Sequence, residues 1–191
     1  MSNTNINQSK PRLLIFIVAY HAESTIASVL SRIPQSILVN YEAEVLIIDD
    51  SSKDGTFDKS LDFLNEAPFP FKATVLYNPE NQGYGGNQKI GYQFAIKNDF
   101  DFVALIHGDG QYAPECLGAL LEPLQKGEAE AVFGSRMLAR REALKGGMPL
   151  YKYVGNKILT WFENKMLKSQ LSEFHSGYRL YSVKALKVIP F

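Results

Sequence analysis

An α/β domain, with a mostly parallel sheet flanked by helices, is expected from three observations. Apolar runs of strand length recur at 12–19, 44–48, 73–77 and 102–106. Stretches with helical spacing of apolar residues lie between them, and the last three runs lead into turns rich in Asp, Asn, Ser or Gly. Alternating units of this kind need crossover connections, which bury the strands on both faces and gather the loops after them at one edge.

The elements follow in order. The run 12–19 is continuous and apolar, as a strand buried on both faces should be, and Ile26, Val29, Leu30 and Ile33 then fall on one helical stripe. The second strand, 44–48, runs into Asp49-Asp50-Ser51-Ser52. Asp54 reads as the cap of a helix that turns Phe57, Leu61 and Leu64 inward. After the third strand, Asn81-Gln-Gly-Tyr-Gly-Gly86 predicts a glycine-rich turn, with a helix over 87–97 carrying Ile90, Phe94 and Ala95. The fourth strand ends at His107-Gly-Asp-Gly-Gln111. Pro114 then pre-sets the first turn of a helix over 115–125 whose buried side is Leu117, Leu120, Leu121 and Leu124. A short strand at 131–133 ends in Gly134-Ser-Arg136, after which the alternation weakens.

Composition bounds the function. A chain of 191 residues with 46% hydrophobic and 21% charged residues suits one globular domain, and a formal net charge of zero argues against a nucleic-acid partner. The expected organisation is a frayed tail over 1–10 and a single domain over 11–191. The apolar ending Val188-Ile-Pro-Phe191 suggests a parent that continues. Cys116 alone forms no internal disulfide and reads as packing in a first helical turn. The longest apolar run, 13–20, is too short to span a membrane. Residues 136–168 carry eight Lys or Arg (136, 140, 141, 145, 152, 157, 165, 168) against Glu142 and Glu163. That excess suits a pyrophosphate or an anionic membrane face, and a solvated helix face is its plain alternative.

The chemistry-bearing residues sit at the strand ends. In open α/β sheets ligands bind at the carboxyl edge, where Asp109, with Gln111 two residues on, offers oxygens to a hard cation such as Mg²⁺ or Mn²⁺. A polar turn between strand and helix explains the same residues without a metal. Asp49 and Asp50 suit hydrogen bonds from a ribose or a base N–H, or a pair of structural caps. Gly83-Tyr-Gly-Gly86 is not a dinucleotide fingerprint, because Gln88 stands at the third glycine's place and the turn follows the third strand. Arg136 ends the fifth strand, and Glu173, His175 and Arg179 form a polar cluster around Ser176-Gly177.

Taken together, these segments resemble the family 2 inverting glycosyltransferases of the GT-A fold, whose sheet is Rossmann-like, and in particular their dolichyl- and polyprenyl-phosphate mannose or glucose synthase branch. Val18-Ala-Tyr-His-Ala-Glu23 stands where that family has Pro-x-Tyr-Asn-Glu, and Ile47-Ile-Asp-Asp-Ser-Ser-Lys-Asp-Gly-Thr56 is nearly its second-strand signature. Asn81-Gln-Gly-Tyr-Gly-Gly-Asn87 is similar to its Asn-x-Gly motif, and His107-Gly-Asp109 to its Asp-x-Asp. Gly134-Ser-Arg136 and Ser176-Gly-Tyr-Arg179 are similar to its Gly-Ser-Arg and Ser-Gly-Phe-Arg. His107 replaces the first Asp of Asp-x-Asp, Glu173 stands for the usual Asp, and the processive members' Gln-x-x-Arg-Trp is missing, which implies one sugar per acceptor.

The resemblance implies a UDP- or GDP-linked sugar donor against Val18, Tyr20, Glu23, Ile47, Asp49, Asp50 and Gly108. It further implies Mg²⁺ or Mn²⁺ held by Asp109, Gln111 and His107, with Arg136 and Arg179 on the departing pyrophosphate. The implied acceptor is a polyprenyl phosphate or a lipid-linked saccharide at the cytoplasmic face of the membrane. Glu173 or His175 would serve as general base only for a hydroxyl acceptor. A transferase acting on a saccharide hydroxyl and a weakly catalytic sugar-nucleotide-binding module are the alternatives.

Overall fold

A computed structural model describes residues 9–66, 68–135, 137 and 149–191. In chain order the elements are β1 (Arg12–Ala19), α1 (Ile26–Ser31), α2 (Ile37–Asn40), β2 (Glu42–Asp49), α3 (Thr56–Glu66), β3 (Lys72–Tyr77) and α4 (Gly83–Lys97). Then come β4 (Phe102–His107), a 3₁₀ turn (Pro114–Cys116), α5 (Leu117–Gln125), β5 (Ala131–Gly134), α6 (Leu150–Leu167), β6 (Tyr178–Ser182) and α7 (Val183–Leu186).

The six strands form one sheet in the order β3-β2-β1-β4-β6-β5, with β1 to β4 parallel and β6 antiparallel to both its neighbours. Period-two alternation sorts β1 into two faces. Leu13, Ile15, Ile17 and Ala19 pack with α1 and α5, whereas Leu14, Phe16 and Val18 pack with Tyr92 and Ala95 of α4 and Val183 and Leu186 of α7. Both faces of the central strands are therefore dry, which is why they read as unbroken apolar runs. Helix α4 comes so close that a Cβ on Gly91 would sit 2.1 Å from the Phe16 ring.

This order sets where a ligand fits. The chain lays β2 and β3 on one side of β1, then crosses to lay β4 on the other. The carboxyl ends of β1 and β4 thus flank a topological switch point, where the connecting loops diverge and leave a crevice.

Several expectations are corrected. The glycine-rich segment is no separate turn: α4 begins at Gly83, whose φ of +69° makes the entry, so Tyr84 and Asn87 lie on its first turn. Ile90 and Leu61, expected inward, are both 37% exposed. The inward face of α3 is Thr56 and Ser60 with Phe63 and Leu64 half-buried beside them, and Ser60 Oγ donates to the Thr56 carbonyl. Cys116 is exposed on the 3₁₀ turn and fills no core space. The polar cluster around Ser176 leads into β6, a strand with no counterpart among the expected elements.

Candidate active site

At the switch point lies a cleft of about 310 Å³, lined by Val18 to Tyr20 from β1, by Asp50, Asn81, Gly83, Tyr84 and Asn87, and by His107 to Asp109 from β4. The loop after β1 is locked to the loop after β2. His21 N–H donates to Ser52 Oγ (3.0 Å), Ala22 N–H to Thr56 Oγ1 (2.8 Å), and Gly55 N–H to the Glu23 carboxylate (3.0 Å). His21 (φ +49°) and Ser51 (φ +62°) both take left-handed conformations that cost a non-glycine residue about 1 kcal/mol or more. Tyr20 stacks on His21 with ring centroids 4.1 Å apart and stays exposed at the rim.

The two aspartates after β2 divide their work. Asp50 is structural through one oxygen, which accepts from Asn78 Nδ2 and from Gln82 N–H, each at 2.8 Å, and so ties the loop after β3 to the cleft. Asp49 uses Oδ1 to cap Ser52, from whose N–H (3.1 Å) and hydroxyl it accepts. Its Oδ2 is buried with no hydrogen-bond partner among the described residues. Leaving a buried carboxylate oxygen unpaired is costly, so this atom is an acceptor available to a ligand's N–H or O–H at the edge beside Ala19.

On the β4 side, Asp109 is half-exposed and Oδ1 accepts the Gln111 N–H at 3.0 Å, while Oδ2 lies 3.8 Å from His107 Nδ1. The imidazole stands in an aromatic slot. Tyr84 and Tyr112 flank it at ring-centroid distances of 4.9 and 5.4 Å, and a Cβ on Gly177 would lie 2.2 Å from its Nε2. That Nε2 has no hydrogen-bond partner among the described residues. Burial pushes the Tyr84 phenol up to about 12 against the opposing pull of Arg179, so it remains a neutral hydrogen-bonding group.

The Ser176-Gly-Tyr-Arg179 segment backs this slot. Ser176 Oγ donates to the Gly134 carbonyl, Gly177 N–H donates to Tyr112 Oη (2.6 Å), and Arg179 Nε donates to the Ser176 carbonyl (2.7 Å). Glu173 is buried, accepting from Asn156 Nδ2 of α6 at 3.0 Å, and the exposed His175 lies 3.7 Å from Glu163 of the same helix. Both face α6.

Of the residues expected at the site, Val18, Tyr20, Asp50, His107, Gly108 and Asp109 share the cleft wall. Asp49 borders it. Ile47 is a correction: it is fully buried in the core on the α1 and α5 side of the sheet, two residues short of the end of β2, and its side chain does not line the cleft. The Glu23 carboxylate is turned to Gly55, and Gln111 is exposed on the loop beyond Asp109. Arg136 lies outside the described residues. The sequence reading missed Tyr84 and Asn87, three residues apart on one face of α4, because the helix start was placed too late. It also missed Gly177 as the floor of the His107 slot.

A cation fits this donor set. Metal–ligand bonds of about 2.0–2.2 Å allow one ion to touch both His107 Nδ1 and Asp109 Oδ2 across 3.8 Å. Among the described residues no group of three or more His, Cys, Asp or Glu forms a complete metal site. Gln111, substrate and solvent are the further oxygen donors such an ion would draw on, as is usual where a divalent ion meets phosphates.

The mostly parallel sheet with its switch-point cleft has the GT-A architecture, and solved structures share that fold. The chain aligns over 95% of its length with glucosyl-3-phosphoglycerate synthase of Mycobacterium tuberculosis, covering 60% of that chain, at a TM-score of 0.65 and 19% identity. It aligns over 94% with a mannosyltransferase of Pyrobaculum calidifontis in complex with GDP-Man and Mn²⁺, covering 47% of that chain, at a TM-score of 0.63 and 15% identity. The chain thus spans about half to three-fifths of these two solved proteins.

The profile of glycosyl transferase family 2 matches residues 14–189, and the chain belongs to that family. Over 93% of its length it is 28% identical to the UDP-N-acetylglucosamine–dolichyl-phosphate N-acetylglucosaminyltransferase of Methanococcus voltae, 72% of which is covered. It is likewise 28% identical to the undecaprenyl-phosphate mannosyltransferase of Micrococcus luteus, with 93% of this chain and 69% of that protein aligned.

Proposed function

We propose that the domain transfers one sugar from a nucleoside-diphosphate sugar to a polyprenyl-phosphate acceptor by a single in-line displacement with inversion. The observation that carries this reading is the His107–Asp109 pair in the wall of the switch-point cleft. The names of the two relatives, both transferases to a polyprenyl-type phosphate, support the acceptor class.

The nucleoside lies along the ends of β1 and β2, against Val18 and Tyr20, with a base N–H donated to Asp49 Oδ2. Uracil and guanine both present such a donor, so this contact serves a UDP- or a GDP-linked sugar. Asp50 and Glu23 hold the loop walls and Ile47 supports β2 from below. The pyrophosphate passes over Gly108, whose lack of a side chain admits it beside the β1 end. Asp109 and His107, with Gln111, would hold Mg²⁺ or Mn²⁺, which when bound would supply positive charge to the departing pyrophosphate. The nitrogen in this set favours Mn²⁺ over Mg²⁺.

An acceptor oxygen attacks the anomeric carbon as the bond from that carbon to the β-phosphate oxygen breaks, and the bonding pair leaves with the nucleoside diphosphate. Arg179 and Arg136 supply fixed positive charge where negative charge develops. A lipid phosphate is already ionised and brings no proton to remove, whereas a saccharide hydroxyl must lose one to a base. Glu173 and His175, committed to Asn156 and Glu163 of α6, are therefore assigned no proton transfer. The test is transfer of labelled sugar to a short polyprenyl phosphate by the Glu173→Gln, His175→Ala double variant. Retained transfer is expected, and near-complete loss in a variant that folds would move the acceptor to a hydroxyl.

A further inference from the structure

Helix α6 is amphipathic in the reverse sense. Its inward side is mostly polar, apart from buried Tyr153 packed on Met137: Asn156 donates to Glu173, Glu163 faces His175, Thr160 donates to Asn156 Oδ1, and Asn164 fastens the turn after the helix through Ser169 and Leu171. Its outward side is apolar. Tyr151, Val154, Ile158, Trp161, Phe162 and Met166, spaced three, four and seven residues apart, are 47–73% exposed. Scattered single apolar residues need no explanation, but a contiguous stripe of this length along an 18-residue helix does.

The charges say what covers it. Lys152 and Lys157 border the stripe on its two margins, Lys165 lies within it and Lys168 follows it, against Glu163 alone, which is turned inward. Lys157 Nζ lies 5.2 Å from the Tyr153 ring centroid and Lys165 Nζ 5.5 Å from that of Trp161, so the lysine stems lie along aromatic surface. Apolar and aromatic residues on one face with lysines along its edges match an anionic bilayer, whose boundary takes the apolar face while the headgroups meet the ammonium groups. No helix among the described residues is long and apolar enough to cross a membrane, so α6 could meet a bilayer only along its surface.

We propose that the outward face of α6 is a membrane-docking surface that lies flat at the headgroup–acyl boundary of an anionic bilayer. This is independent of the transfer reaction, although it would bring the Glu173–Arg179 segment, to which α6 is bonded, toward the lipid.

Trp161 is the only tryptophan of the chain and stands on the proposed face, so the 191-residue protein carries its own probe. Vesicles of mixed phosphatidylglycerol and phosphatidylcholine, free of polyprenyl phosphate and sugar donor, should shift Trp161 emission to the blue. Lipids brominated near the headgroup end of the acyl chain should quench it. Phosphatidylcholine alone should bind at least about tenfold more weakly. The Ile158→Glu, Phe162→Glu variant should lose at least about tenfold in partition with an unchanged melting temperature. Lys152→Gln with Lys157→Gln provides a second variant that leaves the apolar stripe intact and should weaken anionic binding alone. Unshifted Trp161 emission with anionic vesicles would overturn the proposal. So would a Trp161 already shielded from acrylamide without lipid, whether in a monomer or in a self-associated species seen by sedimentation.

Discussion

Replacing Gly177 with alanine tests whether the His107 ring is held as tightly as the structure implies. The added methyl would lie 2.2 Å from His107 Nε2 and 2.7 Å from Cδ2 and Cε1, whereas ordinary contacts are about 3.5 Å. The ring must therefore retreat by roughly 1 Å. Tyr84 and Tyr112 close two of the directions open to it, and Asp109 stands in a third. Overpacking of this kind costs about 1–3 kcal/mol, which for a chain of this size lowers the melting temperature by roughly 2–12 °C. Donor affinity in Mn²⁺ should fall as well, because Nδ1 moves with the ring. Calorimetric melting and titration with UDP- and GDP-sugars measure both effects. The cycle with His107→Ala isolates the cause: with the ring removed, Gly177→Ala should add almost nothing to the destabilisation. If Gly177→Ala melts and binds as the parent does, or if the two changes simply add, His107 is not held by this slot.

Three further outcomes are expected. Asp109→Asn keeps an acceptor for the Gln111 N–H, so stability should stay within about 0.5 kcal/mol. Its Mn²⁺-dependent donor affinity should fall by about 100-fold or more, the cost of losing a direct ligand, as read by titration with and without the metal. Asp49→Asn can keep its bonds from Ser52 through Oδ1, but it turns the orphaned Oδ2 into a donor facing a base N–H. Nucleotide affinity should drop by about tenfold or more in the same titration, and an unchanged value would remove the base from this position. Glu44 sits between Lys72 (2.8 Å) and Arg12 (3.1 Å). Burial alone would raise its carboxyl, but hydrogen bonds from these two outweigh burial and hold it below its ordinary 4.5. A folded-state value below the unfolded one gives stability that is full above pH 4.5 and is lost as pH falls through the lower folded value. Denaturant midpoints of Glu44→Gln across that window should show a shallower acid loss than the parent.

Much of this fold was legible because its central strands are dry on both faces. The runs containing Leu13 to Ala19, Val45 to Ile48 and Val103 to Ile106 had to be apolar without interruption, and Asp49 and Asp109 stood out as carboxylates at their ends. Strand β6 was not legible in the same way. It alternates buried Tyr178, Leu180 and Ser182 with half-buried Arg179 and Tyr181, so its apolar content is that of a loop. Its place between β4 and β5 is a long-range choice that no local pattern encodes. The cleft shows the same division. Residues at strand ends were found from sequence, but Tyr84 and Asn87 depended on where α4 begins, and Gly83 with its positive φ hid that start inside an apparent turn. Gly177 looked like an ordinary loop glycine, since its reason lies in a ring seventy positions away in the chain. Ile47 was misplaced because the signature around it marks the strand's end, whereas Ile47 itself lies two residues inside that end, packed in the core.

The crossover from β3 to β4 brings the carboxylate loops after β2 and β4 to either side of β1, and no strand intervenes. On the function proposed, the β2 side would meet the nucleoside and the β4 side the phosphates.

The central claim, that a divalent ion bridges Asp109 to the donor's diphosphate inside this crevice, is tested most directly by anomalous diffraction from a crystal holding Mn²⁺ and a nucleoside diphosphate. The account predicts a manganese peak within bonding distance of an Asp109 carboxylate oxygen and of phosphate oxygens, with His107 Nδ1 turned toward the same ion. A peak that leaves Asp109 untouched, or a diphosphate seated away from the ends of β1 and β4, would contradict it.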